Sequence, residues 1–311
     1  MQNIIITGGA GFIGWNLANK FLKKNYKVII IDVKKKYFNP ISNKIKFIKC
    51  DITNEKKLNK ICIKGKNNVL LHCAGQASAA LSFKDPNFDL DLNIKGTLNI
   101  VKWSSLNNVT RIVYASTFNV YEEEKSKITE DIKTKPKSLY AISKFAGEEY
   151  IRVYANYLNI KWNIFRMFNV FGPGQDPNNE NLGMVSIFLN MAKKNQDIIV
   201  KGSLDRFRDF IYIDDVSEAW FKLIKTKKYD QIFNLGSGKK TTLKTLLKII
   251  KNITNNKKKV ISTGGTPGDF FGCYSDINKI QKELKFYPKT NLHIDIKKFN
   301  KWINANKKKK F

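Results

Sequence analysis

The stretch Asn3–Gly14 (NIIITGGAGFIG) joins an aliphatic run to a glycine-rich turn, and a helical pattern follows it. In such a turn the glycines let the backbone approach a pyrophosphate, and the free N–H groups of the next helix face the anion. Asp32 ends the following aliphatic run, 18 residues after Gly14, where a carboxylate could bind ribose hydroxyls. The pattern predicts a dinucleotide site in which Gly8, Gly11 and Gly14 lie at the phosphates.

The charge of Asp32 also bears on which dinucleotide binds. A carboxylate repels the 2′-phosphate of NADP, so Asp32 favours NAD, although the lysines of Lys34–Lys36 weaken this preference. The alternative is a structural glycine turn without a ligand, which is less favoured because this turn lies between a strand pattern and a helix pattern. We therefore expect NAD as the cofactor.

Working outward from this stretch, short apolar runs alternate with helical patterns through the first half of the chain. The predicted strands are Asn3–Thr7, Lys27–Asp32, Ile45–Cys50, Val69–Cys73, Arg111–Ala115 and Lys161–Arg166. The predicted helices are Phe12–Lys24, Pro86–Leu106 and Ser138–Leu158. Such alternation predicts an α/β fold with a doubly wound parallel sheet, the Rossmann arrangement.

The pattern changes in the second half of the chain. A turn-rich connection follows residue 168, and further elements are predicted at Gly183–Lys194, Asp197–Val200, Asp209–Ile213, Asp214–Thr226, Thr241–Ile253 and Ile277–Leu284. We expect the buried strand at 209–213 and its helix to return to the first domain. The predicted division is a dinucleotide-binding domain of residues 1–168, revisited at about 209–235. A smaller interleaved α/β substrate domain would comprise residues 169–208 and 236–311.

The formal net charge of +30 raises the question of nucleic-acid binding. Of the 56 basic residues only five are Arg, and the lysines are spread along the whole chain. Base readout favours Arg, and a binding face needs clustered charge, so we expect no nucleic-acid partner. A positive surface would still favour anionic substrates such as nucleotide diphosphates.

Other compositional features exclude further classes of protein. No apolar segment reaches the roughly 18 residues that a membrane-spanning helix needs, and the first nine residues lack the basic leader of a signal peptide. The four cysteines show no close paired spacing, and the chain has only two histidines. We therefore expect reduced thiols, no metal site, no membrane partner and a cytoplasmic location.

The segment Tyr140–Lys144 (YAISK) places a phenol and an ammonium four residues apart, on one face of a helix. Lowering a tyrosine pKa from ~10 by roughly 2–3 units requires about 3–4 kcal/mol of preferential phenolate stabilisation. Lys144 and the positive nicotinamide of an oxidised cofactor could supply it together. For the isolated pattern, a surface pair is the favoured interpretation. The neighbouring sequence favours a catalytic pair instead, because Ile112–Thr117 is a predicted buried strand that ends in hydroxyl residues. A doubly wound sheet binds its ligand at the carboxyl ends of such strands.

A set of motifs in this order resembles the extended short-chain dehydrogenase/reductase family of NAD-dependent nucleotide-sugar epimerases and dehydratases, and is similar to UDP-glucose 4-epimerases. The motifs are Thr7–Gly14, Cys50–Ile52, Leu71–Gln76, Asn93–Thr97, Tyr114–Thr117, Tyr140–Lys144, Phe165–Pro173 and Arg208–Val216. The resemblance covers nearly the whole chain. It implies a fold of the predicted type and hydride transfer on the sugar of a nucleotide-sugar.

The resemblance also implies roles for individual residues. Thr117 matches a hydroxyl that binds substrate and relays a proton, Tyr140 matches the catalytic base, and Lys144 matches the lysine on the nicotinamide ribose. The further residues implied at the cofactor are Phe12, Ile13, Asp51, Ile52, Cys73, Ala74, Gly75 and Asn93, with Asp51 and Ile52 at the adenine. Asn169 and Arg208 would hold the substrate diphosphate; alternatively, Arg208 pairs only with Asp209 or Asp214.

The resemblance leaves several reactions open. Family dehydratases carry Asp-Glu after the threonine, whereas Phe118-Asn119 follow Thr117 here and Glu122–Glu124 are expected to face solvent. Elimination is therefore disfavoured, and decarboxylation is also less favoured. A 4-epimerase, which returns the hydride to the other face of the sugar, is the preferred reading. A dehydrogenase or reductase with net redox change is the alternative.

Two departures from the family pattern bear on the substrate. Lys201 stands where many relatives carry an aromatic residue near the base, and Gly265-Thr266 precede Pro267–Asp269 where many relatives carry an Arg. UDP is favoured as the nucleotide, with GDP, CDP and dTDP open. The resemblance also implies a homodimer, in which Pro86–Leu106 and Ser138–Leu158 of two chains form a four-helix bundle. His72, at a strand end, is expected to be a structural histidine.

Overall fold

The strands and helices of the protein were located in a computed structural model that describes residues 2–35, 45–124, 126–179, 183–265 and 268–306. The strands are β1 (Asn3–Thr7), β2 (Lys27–Asp32), β3 (Ile45–Lys49), β4 (Asn68–His72), β5 (Val109–Thr117), β6 (Lys127–Ile128), β7 (Lys161–Met167), β8 (Asn169–Phe171), β9 (Ile198–Lys201), β10 (Phe207–Arg208), β11 (Phe210–Tyr212), β12 (Gln231–Leu235), β13 (Thr241–Thr242), β14 (Val260–Thr263) and β15 (Tyr274–Ser275). The α-helices are α1 (Phe12–Lys23), α2 (Glu55–Leu58), α3 (Ala79–Lys84), α4 (Pro86–Leu90), α5 (Gly96–Leu106), α6 (Leu139–Tyr157), α7 (Met184–Lys193), α8 (Ile213–Ile224), α9 (Leu243–Thr254), α10 (Asn278–Leu284) and α11 (Leu292–Ala305). A π-helical turn (Asp91–Lys95) joins α4 to α5, and a 3₁₀ turn (Phe118–Val120) follows β5.

The central sheet has seven parallel strands in the order β12-β7-β5-β4-β1-β2-β3. The chain first builds outward from β1 to β3, and then starts again beside β1 with β4 and builds in the other direction. The point where the strand order reverses therefore lies between β1 and β4, and ligands bind beyond the carboxyl ends of the strands at such a point. The predicted doubly wound fold is confirmed.

Both faces of the sheet are buried, because successive side chains of a strand point to opposite sides. Ile4 and Ile6 of β1 pack in one core with Phe21 of α1, whereas Ile5 packs in the other core with Trp103 of α5. A strand that is covered on both faces needs an uninterrupted apolar run, which is why the strands read as Ile- and Val-rich segments.

The second half of the chain departs from the sequence interpretation in several elements, three of which bear on the fold. The strand that returns to the central sheet is β12, which had not been predicted. The predicted strand at 209–213 is present as β11, but it pairs with β8 outside the central sheet. The helix α11 had also not been predicted, although Ile296, Phe299 and Ile303 bury one of its faces. The limits proposed for the two domains stay predictions.

Candidate active site

A cleft of about 540 Å³ opens at the carboxyl ends of β1, β4, β5 and β7. It lies at the reversal point of the sheet, and it contains residues from both halves of the chain. Its lining includes the predicted site residues Gly8, Gly11, Phe12, Ile13, Gly14, Asp32, Cys73, Gly75, Thr117, Tyr140, Lys144 and Asn169. The predicted residues Asp51, Ile52, Ala74, Asn93 and Arg208 lie outside this lining.

The glycine turn at one end of the cleft has no room for side chains. A Cβ on Gly14 would lie 2.3 Å from the carbonyl oxygen of Gly8, and a Cβ on Gly8 would lie 2.6 Å from the backbone nitrogen of Ala74. Gly8 also has a φ of +66°, a conformation that favours glycine. Gly11 caps α1 without a side-chain hydrogen bond, and the first turn of this helix holds no acidic residue. The turn therefore fits a dinucleotide pyrophosphate at the N-terminus of α1.

The predicted ribose ligand, Asp32, lies at the same end of the cleft. Its Oδ2 accepts a hydrogen bond of 3.0 Å from the backbone N–H of Ala10, and its Oδ1 accepts one of 3.1 Å from that of Lys34. These bonds hold the carboxylate at the rim, where its remaining lone pairs can accept from ribose hydroxyls. Asp51 and Ile52 follow the neighbouring strand β3, and Lys36 lies outside the described residues.

Thr117, Tyr140 and Lys144 meet at the other end of the cleft, and all three are at least nine-tenths buried. Burial raises the pKa of Tyr140 to about 12; the neighbouring Thr117 side chain acts against this rise, and the charge of Asp89 adds to it. The lowering of this pKa was expected from Lys144 and an oxidised nicotinamide together, and without the nicotinamide the net effect is a raised pKa. A positive nicotinamide would act in the lowering direction.

Lys144 lies on α6, one turn after Tyr140, and its side chain reaches the residues after β4. Its Nζ lies 4.0 Å from the ring centroid of Tyr114, and 3.7 Å from the place that a Cβ on Gly75 would take. Burial lowers the pKa of Lys144 to about 7, against the raising effects of Cys73, Glu148 and Asp89. The amine therefore titrates near neutral pH in this environment.

The two residues predicted to bind the substrate diphosphate differ in position, since Asn169 lines the cleft and Arg208 lies outside its lining. Arg208 is completely buried, and its Nη2 lies 2.6 Å from Oδ1 of Asp269, which also pairs with Arg206 at 2.5 Å. The alternative partners expected for Arg208, Asp209 and Asp214, are therefore wrong: Asp209 instead accepts bonds from the Ser237, Gly238 and Ser275 backbone. Asn169 faces the cleft and donates a 3.1 Å bond to the Asp209 carbonyl oxygen. Thr266 and Pro267 lie outside the described residues.

Comparison with known proteins identifies the family to which this architecture belongs. The sequence profile of the NAD dependent epimerase/dehydratase family matches residues 4–236. The chain belongs to this family.

Individual relatives and solved structures agree with this result along the whole chain. A putative UDP-glucose 4-epimerase of Methanocaldococcus jannaschii is 35% identical over 97% of this chain and 99% of its own. The structure of a UDP-glucose 4-epimerase of Thermotoga maritima with UDP-glucose has a TM-score of 0.90 and 29% identity, covering 99% of this chain and 100% of its own. The structure of a UDP-glucuronic acid 4-epimerase of Bacillus cereus with UDP-glucuronic acid and NAD has a TM-score of 0.87 and 25% identity. The match covers 98% of this chain and 99% of its own. As a member of this family, the protein is an NAD-dependent enzyme of the nucleotide-sugar epimerase type.

Two buried polar networks of this epimerase/dehydratase were missed by the sequence interpretation. The first joins Glu148 to Arg166, whose Nη2 lies 2.6 Å from Oε2, and Ser116 donates to the same carboxylate. It ties the end of β5 to α6. Tyr140, Lys144 and Glu148 are four residues apart along this helix, so the periodicity alone could have indicated that Glu148 faces the sheet.

The second network surrounds Asn93, whose predicted role was to line the cofactor site. Its side chain instead holds the loop after β4 against α6: its Oδ1 accepts from Gln76 N–H at 2.9 Å, and its Nδ2 donates to Ser143 Oγ at 2.9 Å. Because Gln76 lines the cleft, Asn93 acts on the cofactor site through its neighbours. The roles assigned to all of these site residues stay predictions.

The remaining expectations concern residues around the site. His72 is a structural histidine, as expected: its ring nitrogens lie 2.7 Å from Thr7 Oγ1 and 3.0 Å from Thr97 Oγ1, and burial lowers its pKa to about 3. Glu122 and Glu123 do not simply face solvent, because they pair with Lys135 and Lys137. All four cysteines are free. No described helix is long and apolar enough to cross a membrane, and the cytoplasmic location stays a prediction.

Proposed function

We propose that this protein is an NAD-dependent nucleotide-sugar 4-epimerase that acts on a UDP-sugar. The observation that carries the proposal is that buried Thr117, Tyr140 and Lys144 line the same cleft as the glycine turn. This arrangement supports a proton acceptor near the nicotinamide of a dinucleotide whose pyrophosphate would lie at the N-terminus of α1. Bound NAD would accept hydride from the sugar carbon and return it.

The protein groups provide the proton transfer and the positioning. Thr117 binds the sugar hydroxyl and Tyr140 takes its proton, passed either directly or through the threonine hydroxyl. Lys144 orients the nicotinamide ribose, and its positive charge favours the phenolate. In the return step Tyr140 gives the proton back to the sugar oxygen. Epimerisation then requires the sugar to present its opposite face between the two steps.

The residues that follow Thr117 favour epimerisation over elimination. Phe118 and Asn119 line the cleft, and neither can act as a general acid or base at this place. The first glutamates after them, Glu122 and Glu123, are held by Lys135 and Lys137. Removal of water from the sugar needs a positioned acid and base, and the segment after Thr117 supplies neither.

A UDP-sugar is the substrate class that the relatives support best, since the solved proteins described above carry UDP-glucose or UDP-glucuronic acid. Arg206 and Arg208 share one carboxylate, that of Asp269. Lys201 is exposed, and its carbonyl oxygen accepts a hydrogen bond from Arg206.

The test incubates the purified protein separately with UDP-glucose, UDP-N-acetylglucosamine and UDP-glucuronic acid, and follows the sugars by NMR and NADH by absorbance. An epimerase converts one of them to its 4-epimer with no net NADH. Net NADH would instead indicate a dehydrogenase, and no conversion of any UDP-, GDP-, CDP- or dTDP-sugar would overturn the proposal. Tyr140→Phe should abolish conversion while retaining the dinucleotide. Tyr157→Phe, at an exposed position of the same helix, is the matched control.

We also propose that two copies pair through α5 and α6. The two helices pack against each other, and an apolar groove between them is lined by Leu98, Ala146, Tyr150, Val153 and Tyr154 together with Lys102 and Glu149. Val153 is 63% exposed, which is costly for an apolar side chain in such a patch. Packing the same face of a second copy against it would form a four-helix bundle with two-fold symmetry.

Light scattering tests this pairing. The protein should have twice the mass of one chain, and Val153→Glu should give the mass of a single chain with an unchanged fold. Lys161→Glu, at an exposed position outside the two helices, should remain a dimer. A monomeric wild-type protein would refute the pairing.

A further inference from the structure

Asp89 of α4 is a buried carboxylate that the proposed mechanism does not use. Only 2% of its surface is exposed, and it forms no ion pair with any residue that the structure describes. Its Oδ1 accepts hydrogen bonds from Gln76 Nε2 at 2.8 Å and from Asn93 Nδ2 at 3.2 Å. Both partners are N–H donors, which favour the ionised carboxylate together with the charge of Lys144, whereas burial acts against them and raises the pKa of Asp89.

The bonds of Asp89 lead directly to the catalytic end of the cleft. Gln76 lines the cleft, and its amide is locked by a second bond, from Nε2 to the Ser78 carbonyl oxygen at 2.8 Å. Asn93 donates to Ser143, which lies on α6 between Tyr140 and Lys144. Asp89 is thus held at a fixed position behind the loop and the helix that form the nicotinamide end.

When Lys144 is protonated, the charges at this end do not balance without Asp89. Glu148 is neutralised by Arg166, and Lys144 forms no hydrogen bond or ion pair with a described residue. The negative charge of Asp89 acts on Lys144, raising its pKa, and acts on Tyr140 in the same direction. An oxidised nicotinamide would add one more positive charge beside Lys144, whereas a reduced nicotinamide would add none.

We propose that Asp89 is the fixed counter-charge of this end of the cleft, and that it makes the protein bind the oxidised dinucleotide in preference to the reduced one. An enzyme that must start from NAD and recover it in each cycle benefits from such a preference. Asp89 does not touch the reacting atoms; it acts through the field it imposes and through Gln76 and Asn93. Removing a unit charge that acts on both Lys144 and Tyr140 should change the preference roughly tenfold.

The experiment compares Asp89→Asn with Asp91→Asn. Asn keeps the shape of Asp89 and removes its charge; Asp91 lies two residues further along the same helical segment, with a 53% exposed side chain 3.7 Å from Lys95. Each protein is equilibrated with an equimolar mixture of NAD and NADH, freed of unbound dinucleotide, and denatured so that the released forms can be quantified. Asp89→Asn should lower the bound NAD:NADH ratio roughly tenfold. Asp91→Asn should leave the ratio at the wild-type value.

Two further outcomes keep the test decisive. Asp89→Ser also removes the charge, and it leaves space for water to bond Gln76 and Asn93. If the charge is responsible, Asp89→Asn and Asp89→Ser should lower the bound NAD:NADH ratio equally. If packing is responsible, the two variants should change the ratio by different amounts. An unchanged ratio in a folded Asp89→Asn or Asp89→Ser protein, or an equal change in Asp91→Asn, overturns the proposal. The measurement needs no sugar, so its outcome is independent of the proposed epimerase activity.

Discussion

The two ends of the cleft are built in different ways. At the phosphate end, residues close together in the chain form a turn whose backbone does the binding, and the glycines are required because a Cβ would collide with main-chain atoms. At the catalytic end, side chains from α4, β5, α6 and β7 meet in a buried set of charges. The phosphate end therefore depends on the shape of the backbone, and the catalytic end depends on the balance of buried charges. Substitutions should therefore damage them differently.

The largest expected effect is at the phosphate end. Gly14→Ala would place a methyl group 2.3 Å from the Gly8 carbonyl oxygen and 2.7 Å from Gly9 Cα, so the backbone must move. We expect NAD affinity to fall by at least about a thousandfold, because the amides no longer converge on the phosphates. Gly265→Ala, where a Cβ meets nothing within 4 Å, is the control. Calorimetric titration with NAD measures both, and tight binding by Gly14→Ala would show that shape is not limiting.

A smaller effect is expected from breaking the buried ion pair at the catalytic end. Glu148→Gln leaves Arg166 charged and nearly inaccessible to water, which should lower the free energy of unfolding by about 3–5 kcal/mol. The neighbouring Glu149→Gln removes only an exposed pair with Arg152 and should cost at most about 0.5 kcal/mol. Urea denaturation of both variants checks the difference. Equal stabilities would mean that the buried charges are not what holds this end together.

Titration of Lys144 gives a still smaller, pH-dependent effect. Its pKa is lowered to about 7, while an unfolded lysine titrates near 10.4, so between these values the unfolded chain binds more protons. This group therefore makes the free energy of unfolding rise with pH between about 7 and 10, by up to about 1.4 kcal/mol per pH unit. Lys144→Met should lose this increment. Urea denaturation at pH 7 and pH 9 tests it, and identical pH dependence in both proteins would contradict the lowered pKa.

The smallest effect concerns the single charge at the phosphate end. Asp32→Asn should weaken NAD binding about tenfold and improve the relative affinity for NADP, since the repulsion of a 2′-phosphate is removed. Asp51→Asn, exposed at the end of the next strand, should have less effect on this choice. Competition binding with the two dinucleotides measures the ratio. An unchanged ratio in Asp32→Asn would mean that Asp32 does not face the ribose.

Prediction from the sequence succeeded where the signal was local. The glycine turn, the strands β1 to β5 and β7, and the helix that carries Tyr140 and Lys144 could all be read from short apolar runs and residue spacing. The strand β12 could not be read in this way, because Asn234 interrupts its apolar run; the Asn234 side chain is satisfied by the Ile128 carbonyl oxygen at 2.7 Å, a contact between distant segments. The pairing of Arg208 with Asp269 is also a contact between distant segments, since 61 residues separate the two, and it could not be read from the sequence.

The amino-acid sequence by itself determined the family, the parallel α/β sheet and the phosphate-binding turn, because these depend on contiguous patterns of glycine, aliphatic residues and helix periodicity. Only the tertiary structure decided which charges surround the catalytic pair. It brought Asp89, Glu148 and Arg166 out of water beside Lys144. Burial changes the pKa of a group through everything packed around it, and no local stretch of sequence contains that environment.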